Sequence, residues 1–301
     1  MTATQTERRH DSAEGFDLKP PQEALQILAQ AQVDAAASVQ GAVPEIAAAA
    51  KLAAACLADG GQLVYAAAGS SGMMALADAL ELPGTYGIAR ERIKVLLAGG
   101  VNAVLTMPGA AEDDEEEARA AMAGAAVGPR DCVIAVTASG STPYPMAAVK
   151  AARAVGASTI GIANNRGAAL FDIVDVAICL PTPPEVIAGS TRMGAGTAQK
   201  IALNMLSTQM AVHLGHVHDG YMVNLLADNI KLQARARRIV MAVTAVSEAR
   251  ADAALQQAEG AVKTAILLAA GAENARSAQQ LLADHQDRLR PSLAALHQGR
   301  R

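Results

Sequence analysis

The stretch "QLVYAAAGSSGMMALADALE", residues 62–81, decides the fold. It opens with an unbroken apolar run of strand length, and such a run marks a strand covered on both faces. A turn of glycine and serine follows, and then residues that favour helix. Strand, small-hydroxyl turn and helix make one half of a parallel βαβ unit. The succession recurs in "DCVIAVTASGSTPYPMAAVKAARAVGA", residues 131–157, where the turn reads "TASGST". Two turns of the same chemistry, each between an apolar strand and a helix, imply one sheet with both turns at its carboxyl edge.

Outward from these units the pattern continues. "IKVLLAGG" (93–100), "STIGIANN" (158–165) and "DVAICLPTP" (175–183) read as three further buried strands. "AEDDEEEARAAMAGA" (111–125) reads as an acidic helix, and residues 22–58 as helix with apolar positions at helical spacing. Before them lies a polar arm, residues 1–20, running into "KPP" (19–21). The expected fold class is therefore α/β: a three-layer α/β/α sandwich around a five-stranded parallel sheet. After about residue 245 the strands cease, and short helical segments run from "SEARADAALQQAE" to "RLRPSLAAL". The expected organisation is a sheet domain over residues 1–245 and a small all-helical subdomain over 246–301.

Composition excludes several classes of function. The chain has 301 residues and a net charge of -4 with mixed signs, which argues against a nucleic-acid or anionic-membrane partner. Trp is absent and Phe occurs twice, so the core is packed from Ala, Val, Leu, Ile and Met. The N-terminus is polar rather than signal-like, and no apolar run free of charges or turn signals is long enough to read as a span. Cys56, Cys132 and Cys179 sit far apart in apolar runs and read as buried thiols of a reducing compartment. The expectation is a cytoplasmic protein.

The turns carry the chemistry. A helix start with unpaired N–H groups and the positive end of the dipole suits a phosphate, although Ser and Thr also cap helices for structural reasons alone. The third loop of this kind, "EVIAGSTRMGAGTAQKIALNMLST" (185–208), adds hydroxyls, glycines and Arg192. Together the three loops point to a phosphate monoester. A dinucleotide site fits poorly, because "AAGSSG" lacks the G-x-G-x-x-G spacing and no acid ends the second strand. His213, His216 and His218 in "HLGHVHD" read as surface or hydrogen-bonding residues rather than metal ligands. Glu81 ends the helix that begins at the first serine turn. Glu112 opens the "EDDEEE" run, most of which reads as a solvated helix start.

The motifs "VYAAAGSSG", "LPGTYG", "LLAGG", "GAAED", "TASGSTPY" and "GYMVN", with the 185–208 loop and the arm segment "TERRHDSAEGFD", carry a resemblance. The chain resembles N-acetylmuramic acid 6-phosphate etherases, in the sugar isomerase (SIS) fold group that also includes the glucokinase regulatory protein. The "GSTRM", "AGTAQK" and "LNMLST" parts are the most specific. The resemblance implies cleavage of a lactyl ether by elimination and water addition, giving N-acetylglucosamine 6-phosphate and D-lactate. It implies Glu112 as the base at C2 and Glu81 as the acid that assists departure of lactate. It implies sugar and phosphate contacts from Ser70, Ser71, Ser139, Ser141, Thr142, Glu185, Ser190, Thr191, Arg192 and Lys200. It implies a homodimer with the site near the subunit interface, and no metal or organic cofactor.

Three cations of the family pattern are absent. Met73, Ser141 and Gly194 stand where the family usually has two arginines and a lysine, and "ELPG" replaces "ECPP". Each charge-assisted bond contributes about 1.5–3 kcal/mol, so a dianion is expected to be held more weakly here. Two other readings stand beside the etherase: a non-catalytic sugar-phosphate sensor and a phosphosugar isomerase. Lactate release separates the first from both.

Overall fold

The computed structural model describes residues 4–106 and 108–298. In chain order its larger elements are α1 (Pro21–Ala37), α2 (Val43–Ala58), β1 (Leu63–Ala67), α3 (Gly69–Tyr86), β2 (Ile93–Leu97) and α4 (Ala103–Thr106). Then come α5 (Glu115–Gly124), β3 (Cys132–Val136), α6 (Pro143–Ala154), β4 (Ser158–Ala163), β5 (Val176–Cys179) and α7 (Gly194–His213). The chain continues through β6 (Val217–His218), β7 (Tyr221–Met222), α8 (Ile230–Thr244), α9 (Glu248–Gln257), α10 (Val262–Ala269), α11 (Ala275–Asp284) and α12 (Leu289–Gln298).

The chain divides into two compact units. The first holds residues 1–80 and 91–209, and the second holds residues 81–90 and 210–301. The sequence boundary at 245/246 differs from this division. Segment 210–245 joins the helical unit because Val223, Ala236, Ile239 and Val240 are buried in one cluster with Ala251, Ala265 and Leu282. Apolar periodicity alone does not reveal which neighbours a helix chooses.

In the first unit five strands lie parallel in the order β2-β1-β3-β4-β5. This is the expected parallel sheet with helices on both faces. Alternation along the strands sorts the layers. Val64, Ala66 and Val133 pack with Met122 of α5 and Ala148 and Ala152 of α6. On the opposite face, the Tyr65 hydroxyl donates to Asp78 of α3 at 3.0 Å, and Asp78 also accepts from Asn204 and Ser207 of α7. Burial raises the Asp78 carboxyl, and these three donors oppose that shift. The order reverses between β1 and β3, so the crevice outside their carboxyl ends is the expected ligand position of an open parallel sheet. Both serine turns follow these two strands.

The helical reading of 22–58 is broken by a 3-10 turn at Ser38–Ala42. Together α1, this turn and α2 are long and apolar enough to cross a membrane by length and composition. In α2 the sheet accounts for that apolarity, because Ala49, Ala50 and Ala53 are fully buried. The acidic helix also starts later than the sequence suggested. Asp114 caps α5 by accepting from the Glu117 N–H at 2.8 Å, which leaves Glu112 on a separate 3-10 turn, Gly109–Asp113.

In the second unit, β6 and β7 form a small antiparallel hairpin that the sequence reading passed over. Its turn is Asp219-Gly220, both at positive φ (46° and 79°), the backbone that a two-residue hairpin turn requires. Two residues per strand are too few to show alternation.

Candidate active site

The first serine turn and the third-strand turn open onto one cavity of about 250 Å³. Ser70 and Ser71 come from the start of α3, and Thr137, Ser139 and Thr142 from the loop between β3 and α6. Glu112, Thr191 and Gly189 complete the wall, together with Thr6 and Glu7 of the N-terminal arm. All of these lie in the first unit. No lysine or arginine lines the cavity among the described residues. Its polar character comes from hydroxyls, helix-start N–H groups and two carboxylates.

The third-strand loop is organised by its own hydroxyls. Thr137 Oγ1 lies 2.7 Å from Thr142 Oγ1, and Ser139 Oγ lies 3.2 Å from Thr142 Oγ1 and 3.3 Å from Thr137 Oγ1. The Ser141 N–H donates to Ser139 Oγ at 3.2 Å. Thr142 is the N-cap of α6 but makes no side-chain cap bond. Its hydroxyl therefore serves this cluster rather than the helix end. A cluster of rotatable O–H groups beside a helix start can turn its donors toward an anion.

Glu112 faces the other turn. Gly69 has φ +53°, and a Cβ built there would lie 2.5 Å from Glu112 Oε1. Only a glycine lets this carboxylate approach the α3 start so closely. Behind Glu112 lies a small recess lined by Met73, Leu97, Val104 and Pro108. Burial raises the Glu112 carboxyl above the ordinary glutamate range, and neighbouring Asp113 adds to the shift. Met73 lines the recess beside Glu112 and presents an apolar side chain to it.

The loop before α7 is held from within. Glu185 is 4% exposed, and its oxygens accept from the Gly194 N–H at 3.0 Å and the Ala195 N–H at 2.9 Å. It thus closes the α7 N-terminus, satisfying two donors that a helix start leaves free. A Cβ on Gly194 would lie 3.1 Å from Ala35 Cβ and 3.1 Å from Glu185 Oε2, so a larger side chain would have to displace one of them.

The structure gathers Ser70, Ser71, Ser139, Thr142, Thr191 and Glu112 from the residues expected at the site. Ser141 and Ser190 flank the cavity without lining it, and Glu185 is occupied with α7. Arg192 is exposed and outside the lining. Lys200 instead lines a separate groove of about 530 Å³ between α2 and α7, with Val43, Ile46 and Ile201. Glu81 is exposed and belongs to the second unit. Thr6, Glu7 and Thr137 are lining residues that the sequence reading did not select. The arm motif "TERR" was the available signal, but its polarity made it look like a solvated arm.

Comparisons with known proteins agree with this architecture. The SIS domain family profile matches residues 29–164. A phosphoheptose isomerase from Francisella tularensis superimposes with a TM-score of 0.51 at 19% identity, over 64% of this chain and 98% of its own. That likeness concerns the fold. Sequence relatives are far nearer. The N-acetylmuramic acid 6-phosphate etherase of Deinococcus radiodurans is 43% identical over 277 residues, which is 92% of this chain and 91% of the relative. That of Streptomyces coelicolor is 42% identical over 259 residues, covering 86% of this chain and 83% of the relative. With identity of this size over nearly the whole length, the chain belongs to the N-acetylmuramic acid 6-phosphate etherase family.

Proposed function

We propose that this protein is a carbon–oxygen lyase that removes the lactyl group of N-acetylmuramic acid 6-phosphate. The products are N-acetylglucosamine 6-phosphate and D-lactate. The observation that carries this reading is the Glu112 carboxylate, half-buried over Gly69 and beside the two hydroxyl-bearing turns. A carboxylate with a raised pKa is a stronger base, well matched to removing a proton next to a carbonyl. The phosphate sits among the α3 and α6 starts and the hydroxyls of Ser70, Ser71, Ser139 and Thr142. This leaves the open-chain aldehyde toward Glu112.

In the reaction Glu112 takes the C2 proton, the electron pair forms the carbon–carbon double bond, and the bond to the lactyl oxygen breaks. Glu81 supplies the proton to that departing oxygen. Water then adds across the double bond, restoring the sugar. For this sequence of steps Glu112 must be ionised and Glu81 protonated when the substrate binds.

The protein works as a homodimer in the cytoplasm, in the recycling of cell-wall sugars. The support for self-association is apolar surface left open in the first unit. Leu25 and Val33 of α1 are 64% and 60% exposed, and the α2–α7 groove is lined by Val43, Ile46, Ile201 and Met205. Incubation of the purified protein with N-acetylmuramic acid 6-phosphate is expected to release D-lactate. Sugar-phosphate binding without lactate would leave a sensor, and aldose–ketose conversion would mark an isomerase.

A further inference from the structure

We infer that Glu7, on the N-terminal arm, reads a neutral hydrogen-bond donor of the sugar ring and so sets the specificity of the pocket for a sugar phosphate over phosphate alone. This rests on the functional reading given above. The arm approaches the site through a specific latch. Thr6 is 2% exposed, although it sits in a 3-10 turn of a polar arm. Its N–H donates to Asn165 Oδ1 at 3.2 Å, and Asn165 Nδ2 donates back to Thr6 Oγ1 at 3.0 Å. The same Nδ2 donates to the carbonyls of Ala138 at 3.1 Å and Ser139 at 3.2 Å. One buried amide thus ties the arm to the backbone of the hydroxyl loop.

The latch fixes where the next residue goes. Glu7 lines the cavity at its exposed rim, opposite the 185–193 loop. A Cβ on Gly189, whose φ is +75°, would lie 3.4 Å from Glu7 Oε2. The loop therefore presents bare backbone to the carboxylate, and among the described residues no lysine or arginine lines the cavity. An ionised carboxylate only accepts hydrogen bonds. It repels a phosphate, so its partner is not the anion held among the serines. A ring hydroxyl or an amide N–H supplies the donor it needs. Such a group lies on the sugar, outside the phosphate end of the pocket, and Glu7 stands at the rim.

Titration calorimetry on the full chain tests this with three probes: N-acetylglucosamine 6-phosphate, glucose 6-phosphate and inorganic phosphate. Glu7→Ala is expected to weaken sugar-phosphate binding about tenfold or more, the size of a lost hydrogen bond to a charged group. Inorganic phosphate should change less than about twofold, because its contacts lie elsewhere. Glu7→Gln, whose amide oxygen still accepts, should fall between. Turnover should show a raised KM with little change in kcat, the mark of binding that is uniform along the reaction. Loss for N-acetylglucosamine 6-phosphate alone identifies the amide N–H as the donor, and loss for both sugars identifies a ring hydroxyl. Thermal unfolding of both variants should match the parent, since Glu7 is exposed. Equal shifts for all three probes would reduce Glu7 to a background charge and overturn the inference. Unaltered sugar affinity in Glu7→Ala overturns it as well while leaving the etherase reading intact. A parent protein that binds no sugar phosphate overturns both.

Discussion

Glu112 Oε1 occupies the space that a Cβ on Gly69 would need, with only 2.5 Å between them. The carboxylate and the start of α3 are thereby locked to one geometry, and that geometry depends on the absence of a single methyl group. At φ +53° an L-residue is also strained at this position. Gly69→Ala should therefore push Glu112 out of place. Deuterium exchange at C2 should slow by about 10²-fold or more if the carboxylate is the base, with a stability cost of about 1 kcal/mol. Exchange at the parent rate in a folded Gly69→Ala protein would show that this contact has no part in the chemistry.

The protonation of Glu112 has two consequences of opposite sign. As a base it must be ionised, so C2 exchange should rise with pH through a limb above the ordinary glutamate range, since burial and Asp113 raise its pKa. For stability, a carboxyl raised in the folded state costs nothing below its unfolded pKa, and its cost grows as pH rises through the folded value. Glu112→Gln should thus unfold at a higher temperature than the parent at neutral pH, and the gap should close in acid. The same variant should lose exchange by about 10²–10⁴-fold. Met73→Lys, which puts a cation in the recess beside Glu112, should move the limb to lower pH. A limb that stays at the same pH in Met73→Lys would remove Met73 from this account.

Glu81 and Glu112 should fail differently. If Glu81 protonates the leaving oxygen, Glu81→Gln stops lactate release while the C2 hydrogen still exchanges with deuterated water. The two signals can be followed in one NMR experiment. Undiminished lactate release by Glu81→Gln would leave the residue as no more than an exposed position near the end of α3.

Glu185 has a structural task that can be measured apart from activity. Its carboxylate satisfies the N–H groups of Gly194 and Ala195, both buried. Glu185→Ala should cost about 2–4 kcal/mol in urea unfolding, because two buried donors are left unpaired at a helix start. Glu185→Gln retains one acceptor oxygen and should lose roughly half of that. A loss of turnover in Glu185→Gln with no loss of stability would instead mean that the residue acts on the substrate.

The sheet, the serine turns and the family were legible in the chain itself, because their signals are local. A buried parallel strand announces itself in about five successive apolar residues, and a turn in the glycines and hydroxyls that follow. The motif around "GSTRM" needs no knowledge of packing. What the sequence did not contain is which distant segments meet. That β1 lies between β2 and β3 brings the two serine turns to the switch point, and this follows from strand pairing across the whole unit. The contact of Thr6 with Asn165 spans 159 residues and rests on hydrogen bonds from a polar arm, so no hydrophobic period marks it. The separation of Glu112 from its acidic neighbours turned on one cap at Asp114. Glu185 has no local feature that sets a helix-capping carboxylate apart from a ligand-binding one. Apolar pattern is a property of neighbours along the chain, whereas the use of a polar group depends on the partner that folding brings within about 3 Å of it.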